Sequence, residues 1–229
     1  MLYRRMLFSL SLLCAQVSAQ SIISTHSGLI HFLEGSVFLD DRLLAPSYGR
    51  FSEISENSVL RTELGRAEVL LTPNTFLRIG ENSAVRMISS NLSDTQVEFL
   101  NGSAILQSND IPLPDNSVTL IYKGWKIRQP KQGLYRIDSD PPRLKMYNGD
   151  CEVTLDGKTM AVNERSLISF PDAVVTESFT TDTDALDRWA DKRSRATSAA
   201  LTAGTSSGAK KSGGPRAHPS VPALPRRTW

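Results

Sequence analysis

The feature that most constrains the fold is the rhythm of apolar residues between Gln20 and about Thr180. They form short runs separated by turn residues, as in Leu29–Leu33, Ala67–Leu71 and Val118–Tyr122. Alternating polarity and β-branched or aromatic side chains favour strands, and no part of this span sustains a helical period for ten residues. The pattern predicts an all-β fold over residues 20–180, either a short-stranded two-sheet sandwich or a roll.

Dipeptides that end in glycine mark the expected turns. Each separates two apolar runs, which predicts tight hairpins with positive backbone φ. The four are Glu34-Gly35, Asn101-Gly102, Asn148-Gly149 and Asp156-Gly157. The first three lie in a repeated frame, Phe32–Val37, Phe99–Ala104 and Met146–Cys151. Any hairpin-rich protein yields such coincidences, but we favour a structural repeat. Because its spacings of 67 and 47 residues are uneven, it predicts solenoid-like quasi-repeats rather than a regular solenoid.

The sequence changes character after Thr180. Residues 181–184 can cap a helix, and the following residues place Leu186, Trp189 and Ala190 on one face. Two acid–base pairs, Asp184–Arg188 and Asp191–Arg195, have i,i+4 spacing. These features predict a short amphipathic helix over 181–196. Since so short a helix is unstable alone, we expect Trp189 to pack on the β domain or, alternatively, on a partner. Low-complexity composition predicts a disordered basic tail over 197–229.

The first 19 residues have the three parts of a secretory signal peptide. Two arginines precede an apolar region, Met6–Cys14, and Val17-Ser18-Ala19 offers a small-residue cleavage site. Cleavage between Ala19 and Gln20 predicts a periplasmic or secreted chain with no integral membrane segment. An uncleaved membrane anchor and a lipoprotein are the alternatives. Cleavage also leaves Cys151 as the sole cysteine, for which a buried strand position is expected.

Charge is distributed unevenly. Residues 192–229 hold eight Lys or Arg and no acidic residue, whereas residues 20–191 hold 16 basic and 24 acidic residues, a net charge of −8. An acidic globule argues against nucleic-acid binding, which needs a basic folded surface. A solvated tail explains the basic end most simply, and contact with an anionic polymer is the alternative.

Residues suited to catalysis or metal binding are sparse. His26 and His31 lie five apart on an apparent strand and face opposite sides, so no shared metal is expected. Zinc, calcium and nucleophile-elbow motifs are missing from the sequence. Paired carboxylates occur at Asp40-Asp41 and at Asp138 and Asp140, the latter before two prolines that favour a turn. We expect no catalytic residue, metal or cofactor, and the binding residues cannot be named from the sequence.

Three motifs lie within residues 28–83. Gly28–Val37 approximates a Gly-to-Gly-x-Val motif, and Asn82-Ser83 provides a later turn. Thr62, Gly65, Ala67 and Val69 match a Thr-x-x-Gly-x-Ala-x-Val strand. In these motifs the chain resembles the core of FecR domains. The resemblance covers residues 28–110 well and 111–175 loosely, and Asp184–Trp189 is similar to exported FecR-like proteins. Because these motifs describe strands and turns, the resemblance implies a fold rather than a site.

In signalling members of that family, a cytoplasmic segment restrains a sigma factor and a membrane helix joins it to the periplasmic domain. A cleavable signal here implies an exported FecR-like domain without the cytoplasmic anti-sigma segment. The leading hypothesis is a non-catalytic envelope domain that binds a protein or a cell-wall glycan. One alternative is a structural envelope module tethered to an anionic polymer by its basic tail. Others are a sigma-factor regulator with an uncleaved anchor, and an enzyme whose site is built from scattered residues.

Overall fold

The computed structural model describes residues 26–45, 51–109, 116–128, 132–172, 174–177 and 183–208. Within these ranges lie fifteen strands, a 3-10 turn at Leu92–Asp94 and one α-helix, α1 (Ala185–Gly208). The strands are β1 (Leu29–Leu39), β2 (Arg42–Leu43), β3 (Val59–Thr72), β4 (Thr75–Ile79), β5 (Ala84–Ser89), β6 (Thr95–Asn101), β7 (Ser103–Ser108), β8 (Val118–Tyr122), β9 (Trp125–Arg128), β10 (Gly133–Ser139), β11 (Pro142–Gly149), β12 (Cys151–Leu155), β13 (Lys158–Val162), β14 (Ser166–Ser169) and β15 (Val174–Glu177). The predicted all-β class with a C-terminal helix is confirmed.

These strands form one hydrogen-bonded sheet, and the long strand β3 belongs to both halves of it. Its first residues, 59–61, pair with β5, and its last part, 67–72, pairs with β4. From β5 the sheet continues through β6, β8, β9, β12 and β13, which we call the first layer. From β4 it continues through β7, β10, β11, β14 and β15, which we call the second layer. The roll is therefore a single sheet that folds over at β3 and its partner β1.

The hydrophobic core lies between the two layers. Tyr122 of β8 has its ring centroid 5.5 Å from those of Phe99 in β6 and Phe170, and Trp125 of β9 also lies 5.5 Å from Phe170. Since Phe170 directly follows β14, these rings join opposite layers. Such ring pairs contribute about 0.5–1.5 kcal/mol beyond the area they bury. One continuous apolar cluster runs through both layers, so neither buries its face without the other.

Three of the four predicted hairpin turns are wrong, because they are corners between the layers. Gly35 lies inside β1, where pairing passes from the second-layer part of β3 to its first-layer part through a register shift. Gly102 joins β6 to β7, and Gly149 joins β11 to β12, each time between layers. All three glycines have positive φ, from 68° to 89°. Strands commonly change layers at such bends and bulges. The repeated frame is a repeat of corners rather than of solenoid coils, and Asp156-Gly157 alone of the four closes a hairpin, between β12 and β13.

Helix α1 begins at Ala185 as predicted but ends at Gly208, not at 196. The stretch 197–208, which the composition placed in the tail, is therefore helical. It is rich in alanine and contains no proline, and extending an existing helix avoids the cost of a new nucleus. Three of the eight basic residues assigned to the C-terminal segment, Lys192, Arg193 and Arg195, belong to this helix.

Several predictions concern other parts of the chain. The signal peptide, its Ala19–Gln20 cleavage site and residues 209–229 lie outside the described residues. Over the described ranges, no helix has the length and apolar character needed to cross a bilayer. Cys151 does occupy the buried strand position expected of it, at 1% exposure. Burial, together with the charges of Asp150 and Glu152, raises the pKa of its thiol to about 12, so it behaves as a core side chain.

Candidate functional site: the groove beside helix α1

Helix α1 lies on the outer face of the second layer. Leu186, Trp189 and Ala190 are buried against Ile105 of β7. The ring of Trp189 lies 6.4 Å from that of Phe32 in β1. The expectation that Trp189 packs on its own β domain is confirmed. This apolar contact is small, and buried polar side chains make up the rest of the interface.

Asp184 fixes the start of the helix. Its carboxylate accepts hydrogen bonds from the backbone N–H groups of Leu186 and Asp187, at 2.8 and 3.0 Å. The backbone N–H of Asp184 donates in return to the Asp187 carboxylate at 3.1 Å. This reciprocal arrangement satisfies backbone donors that the first helical turn leaves without partners.

The two predicted pairs along the helix have different outcomes. Asp191 and Arg195 form the expected ion pair at 2.8 Å. Asp184 instead pairs with Arg136 of β10, at 2.8 Å, while Arg188 donates to the backbone carbonyl of Thr183. The Asp184–Arg188 prediction is therefore wrong, because a partner in the sheet competes for the carboxylate.

The Arg136 cluster joins β10 and β11 to the start of α1, and consists of Arg136, Asp138, Arg143, Asp184 and Asp187. Guanidinium nitrogens of Arg136 lie 2.8 Å from Asp138 and 2.9 Å from Asp187, in addition to the Asp184 pair. Arg143 lies 3.0 Å from the second oxygen of Asp138. Burial opposes ionisation of Asp138 and Asp184, yet hydrogen bonds and the charge of Arg136 hold the pKa of both below the usual value. The cluster is thus a set of fixed charges rather than of exchangeable protons.

The Glu68 cluster lies farther along the helix, and consists of Glu68, Arg78, Arg193 and His31. The buried Glu68 carboxylate lies 2.8 Å from Arg78 Nε, 2.7 Å from Arg193 and 3.0 Å from His31 Nδ1. Burial alone would raise the pKa of Glu68. The hydrogen bonds with His31 and Arg193, and the charges of both arginines, instead lower it to about 2. Strand β3 is in this way tied electrostatically to α1.

Arg78 is the most unusual member of that cluster. Its side chain is wholly buried, and its Nη1 donates to the Oε1 atom of Gln107. Its Nη2, and Nε of Arg193, are buried without a hydrogen-bond partner. Burial lowers the pKa of Arg78 while the charge of Glu68 opposes that effect. Two guanidinium groups therefore share one carboxylate, which leaves an excess positive charge and unused donors in the interior.

A groove of about 410 Å³ runs along the side of α1 between these two clusters, and we call it the α1 groove. Arg78, Gln107 and Ser194 line one end, where the Gln107 carboxamide donates to Ser194 Oγ at 3.0 Å. The apolar side chains of Ile105, Leu134 and Ala190 line the middle. A volume of this size lies within the usual range for small-ligand pockets.

The opposite end of the α1 groove carries hydroxyl groups and two carboxylates that are paired with arginines. Asp187, Asp191, Tyr147 and Thr183 line it. The Tyr147 hydroxyl donates to Asp187 at 3.1 Å, and burial together with the Asp187 charge raises the pKa of Tyr147. Tyr147 therefore remains a protonated donor. The groove as a whole presents the buried Arg78 at one end, an apolar middle, and at the other end two carboxylates that are paired with Arg136 and Arg195.

The carboxylates singled out in the sequence are placed differently. Asp138 belongs to the Arg136 cluster, whereas Asp140 precedes Pro141 in the turn between β10 and β11. Asp40 and Asp41 form the two-residue turn between β1 and β2, with φ values of 48° and 63°. His31 contacts Glu68. No three His, Cys, Asp or Glu side chains of the described residues are grouped as metal ligands.

Sequence reasoning missed the residues that build the site. Glu68, Arg78 and Arg136 are charged residues flanked on both sides by apolar or aromatic residues, in Ala67-Glu68-Val69, Leu77-Arg78-Ile79 and Tyr135-Arg136-Ile137. In a strand this pattern normally describes a solvated outer face. Their burial depends on α1, which is more than 100 residues from Glu68 and Arg78 in the chain. One signal in the sequence did point to these residues, since an acidic residue, Glu68, and a basic residue, Arg78, lie on successive predicted strands.

Comparison with known proteins finds similar solved structures. No protein-family model and no curated protein matches the chain. Two crystal structures from Parabacteroides distasonis ATCC 8503, each of a protein provisionally assigned as an anti-sigma factor, are similar to it. They share 11% and 13% identity, with TM-scores of 0.43 and 0.41, over 52% and 55% of this chain. The matches span 60% and 59% of those chains, and at this similarity neither indicates what the present chain binds.

Proposed function

We propose that this chain is a non-catalytic, FecR-like domain of the bacterial envelope, periplasmic or secreted, that binds another envelope component at the α1 groove. The observation that carries the proposal is the groove itself, whose opposite ends are held by two buried ion-pair clusters. Fixed charges and an apolar floor are suited to orienting a ligand. The signal peptide predicted from the sequence and the FecR resemblance of residues 28–110 support the compartment and the type of domain.

The groove is favoured over the rest of the surface by its buried polar groups. Scattered exposed side chains such as Leu64, at 77% exposure, are common on monomers and indicate no particular site. An interior arginine with an unused donor is rare, and it lies where α1 and the second layer leave space. Recognition of a protein segment and of a cell-wall glycan both fit the proposal.

Site-specific photo-cross-linking in intact cells tests it. A photoreactive residue at Leu134, in the groove, should give a discrete adduct with an envelope component. The matched control is Glu152, an exposed residue of β12 in the first layer. Protease sensitivity of the adduct would identify a protein, and sensitivity to a glycan hydrolase would identify cell-wall material. Equal labelling from both positions, or labelling from Glu152 alone, would contradict the proposal.

A further inference from the structure

The basic end of the α1 groove has two arginines and one carboxylate. Arg78 and Arg193 both contact Glu68, and that carboxylate is the only acidic group within bonding distance of Arg78 among the described residues. Gln107, a neutral carboxamide, accepts from Arg78 Nη1, and Nη2 has no acceptor. A buried guanidinium with unused donors is costly unless a further acceptor reaches it.

Gln107 lies beside Arg78 at this end of the groove. It is partly exposed, bonds to Ser194 and Asn109 at 3.0 and 3.1 Å, and lines the groove together with Arg78. Its oxygen occupies the position of one acceptor in the two-pronged arrangement that arginine makes with a carboxylate. Turning this carboxamide aside would free Nη1 next to the already unpartnered Nη2.

We propose that the basic end of the groove binds the carboxylate of a ligand whose apolar body lies on Ile105, Leu134 and Ala190. The ligand carboxylate displaces Gln107 and accepts from Nη1 and Nη2 of Arg78, and Ser194 donates a further hydrogen bond. This inference rests on the proposed binding function and names the chemistry of the ligand. The class is a small carboxylic acid with an aliphatic body, such as an acylated amino acid or the carboxyl terminus of a peptide.

The apolar lining of the groove distinguishes this class from phosphate. Asp187 and Asp191 line the same groove, but they are paired with Arg136 and Arg195 and do not decide between anions. The apolar middle offers nothing to a compact, fully hydrated anion. An elongated monoanion uses all three parts of the groove.

The first test measures binding to the full chain by NMR titration. N-acetyl-leucine is the probe, N-acetyl-leucinamide is the neutral control, and inorganic phosphate is the competing anion. We expect N-acetyl-leucine to shift the resonances of Gln107, Ala190 and Ser194, with the amide binding at least about tenfold more weakly and phosphate failing to compete. Equal binding of acid and amide, competition by phosphate, or no binding up to about 10 mM would overturn the inference.

The second test uses Gln107→Glu, which places a second carboxylate beside Arg78. This variant should be at least as heat-stable as the parent and should bind N-acetyl-leucine about tenfold more weakly. Glu152→Gln, at an exposed position of β12 in the first layer, is the control, and we expect it to bind the probe as tightly as the parent. Unchanged binding by a folded Gln107→Glu protein would overturn the inference. If Leu134 cross-links to an envelope component but N-acetyl-leucine does not bind, this inference is wrong and the proposed function stands. If N-acetyl-leucine binds but Leu134 gives no adduct, the carboxylate site stands and the proposed envelope partner is wrong.

Discussion

Individual buried charges give this domain its most specific contacts. Glu68 and Arg136 project from the outer face of the second layer and are covered by α1, where each meets several partners. A buried ion pair adds little net stability compared with a well-packed apolar pair, but removing one partner leaves an uncompensated charge. These residues therefore set where α1 docks more than they increase the stability of the fold.

Glu68→Gln is expected to destabilise the protein by about 3–5 kcal/mol, because two guanidinium groups lose their shared carboxylate in the interior. Urea unfolding monitored by circular dichroism measures the change. Glu34→Gln is the control, since the partly exposed Glu34 pairs with Arg66 at 3.1 Å and such surface pairs contribute less than about 1 kcal/mol. Similar losses in the two variants would show that the Glu68 cluster is not an interior network.

Acid should weaken the fold through the same carboxylate. The pKa of Glu68 is lowered from its ordinary value of 4.5 to about 2 in the folded chain, where it faces His31, Arg78 and Arg193. Its contribution is therefore fully present above pH 4.5 and is lost as the pH falls towards 2. Asp138 and Asp184, whose pKa values are also lowered, act in the same direction. Urea midpoints at pH 7, 4 and 3 should fall steadily, and less steeply in Glu68→Gln. An identical slope in the variant would assign the acid effect to other groups.

At the scale of elements, local signals in the sequence were informative where the determining contacts are local. The start of α1 and the burial of Trp189 were predictable from a capping aspartate and a helical apolar face. The β class followed from alternation, for example in Val118–Tyr122. The end of α1 was not predictable, because low-complexity composition describes both a tail and the extension of a docked helix. The roles of Gly35, Gly102 and Gly149 also escaped prediction, since a corner and a hairpin demand the same positive φ.

Trp189→Ala should release α1 while the sheet stays folded. Trp189 is the largest apolar side chain of the helix interface, and losing it removes about 3–5 kcal/mol of contact from a small cluster. Hydrogen–deuterium exchange is expected to rise sharply over residues 185–199 and to stay unchanged in β5, β6 and β8. Trp189→Phe is the control and should retain most protection. Loss of protection throughout the sheet would mean instead that α1 is an integral part of the β domain.

For the molecule as a whole, the crossing of β1 and β3 determines how one sheet becomes two layers. Gly35 and Gly65 face each other there, and a Cβ on Gly65 would lie 2.6 Å from the backbone oxygen of Glu34 and the nitrogen of Ser36. Backbone atoms cannot yield as a flexible side chain can. Both layers share their core as well as this crossing. A disturbance here should therefore reach both layers together.

Gly65→Ala is expected to lower the stability of both layers equally, by about 1–3 kcal/mol, because the new methyl group overpacks the crossing. Unfolding can be followed by circular dichroism and, in a background that carries Trp189→Phe and Trp229→Phe, by the fluorescence of Trp125 in the first layer. The two urea midpoints should shift together, as a single cooperative core requires. Gly157→Asn is the control: it lies in the β12–β13 turn with open space around it, and asparagine tolerates its φ of 77°. Separate midpoints for the two probes in Gly65→Ala would mean that the layers unfold independently, and that the crossing joins two units rather than one.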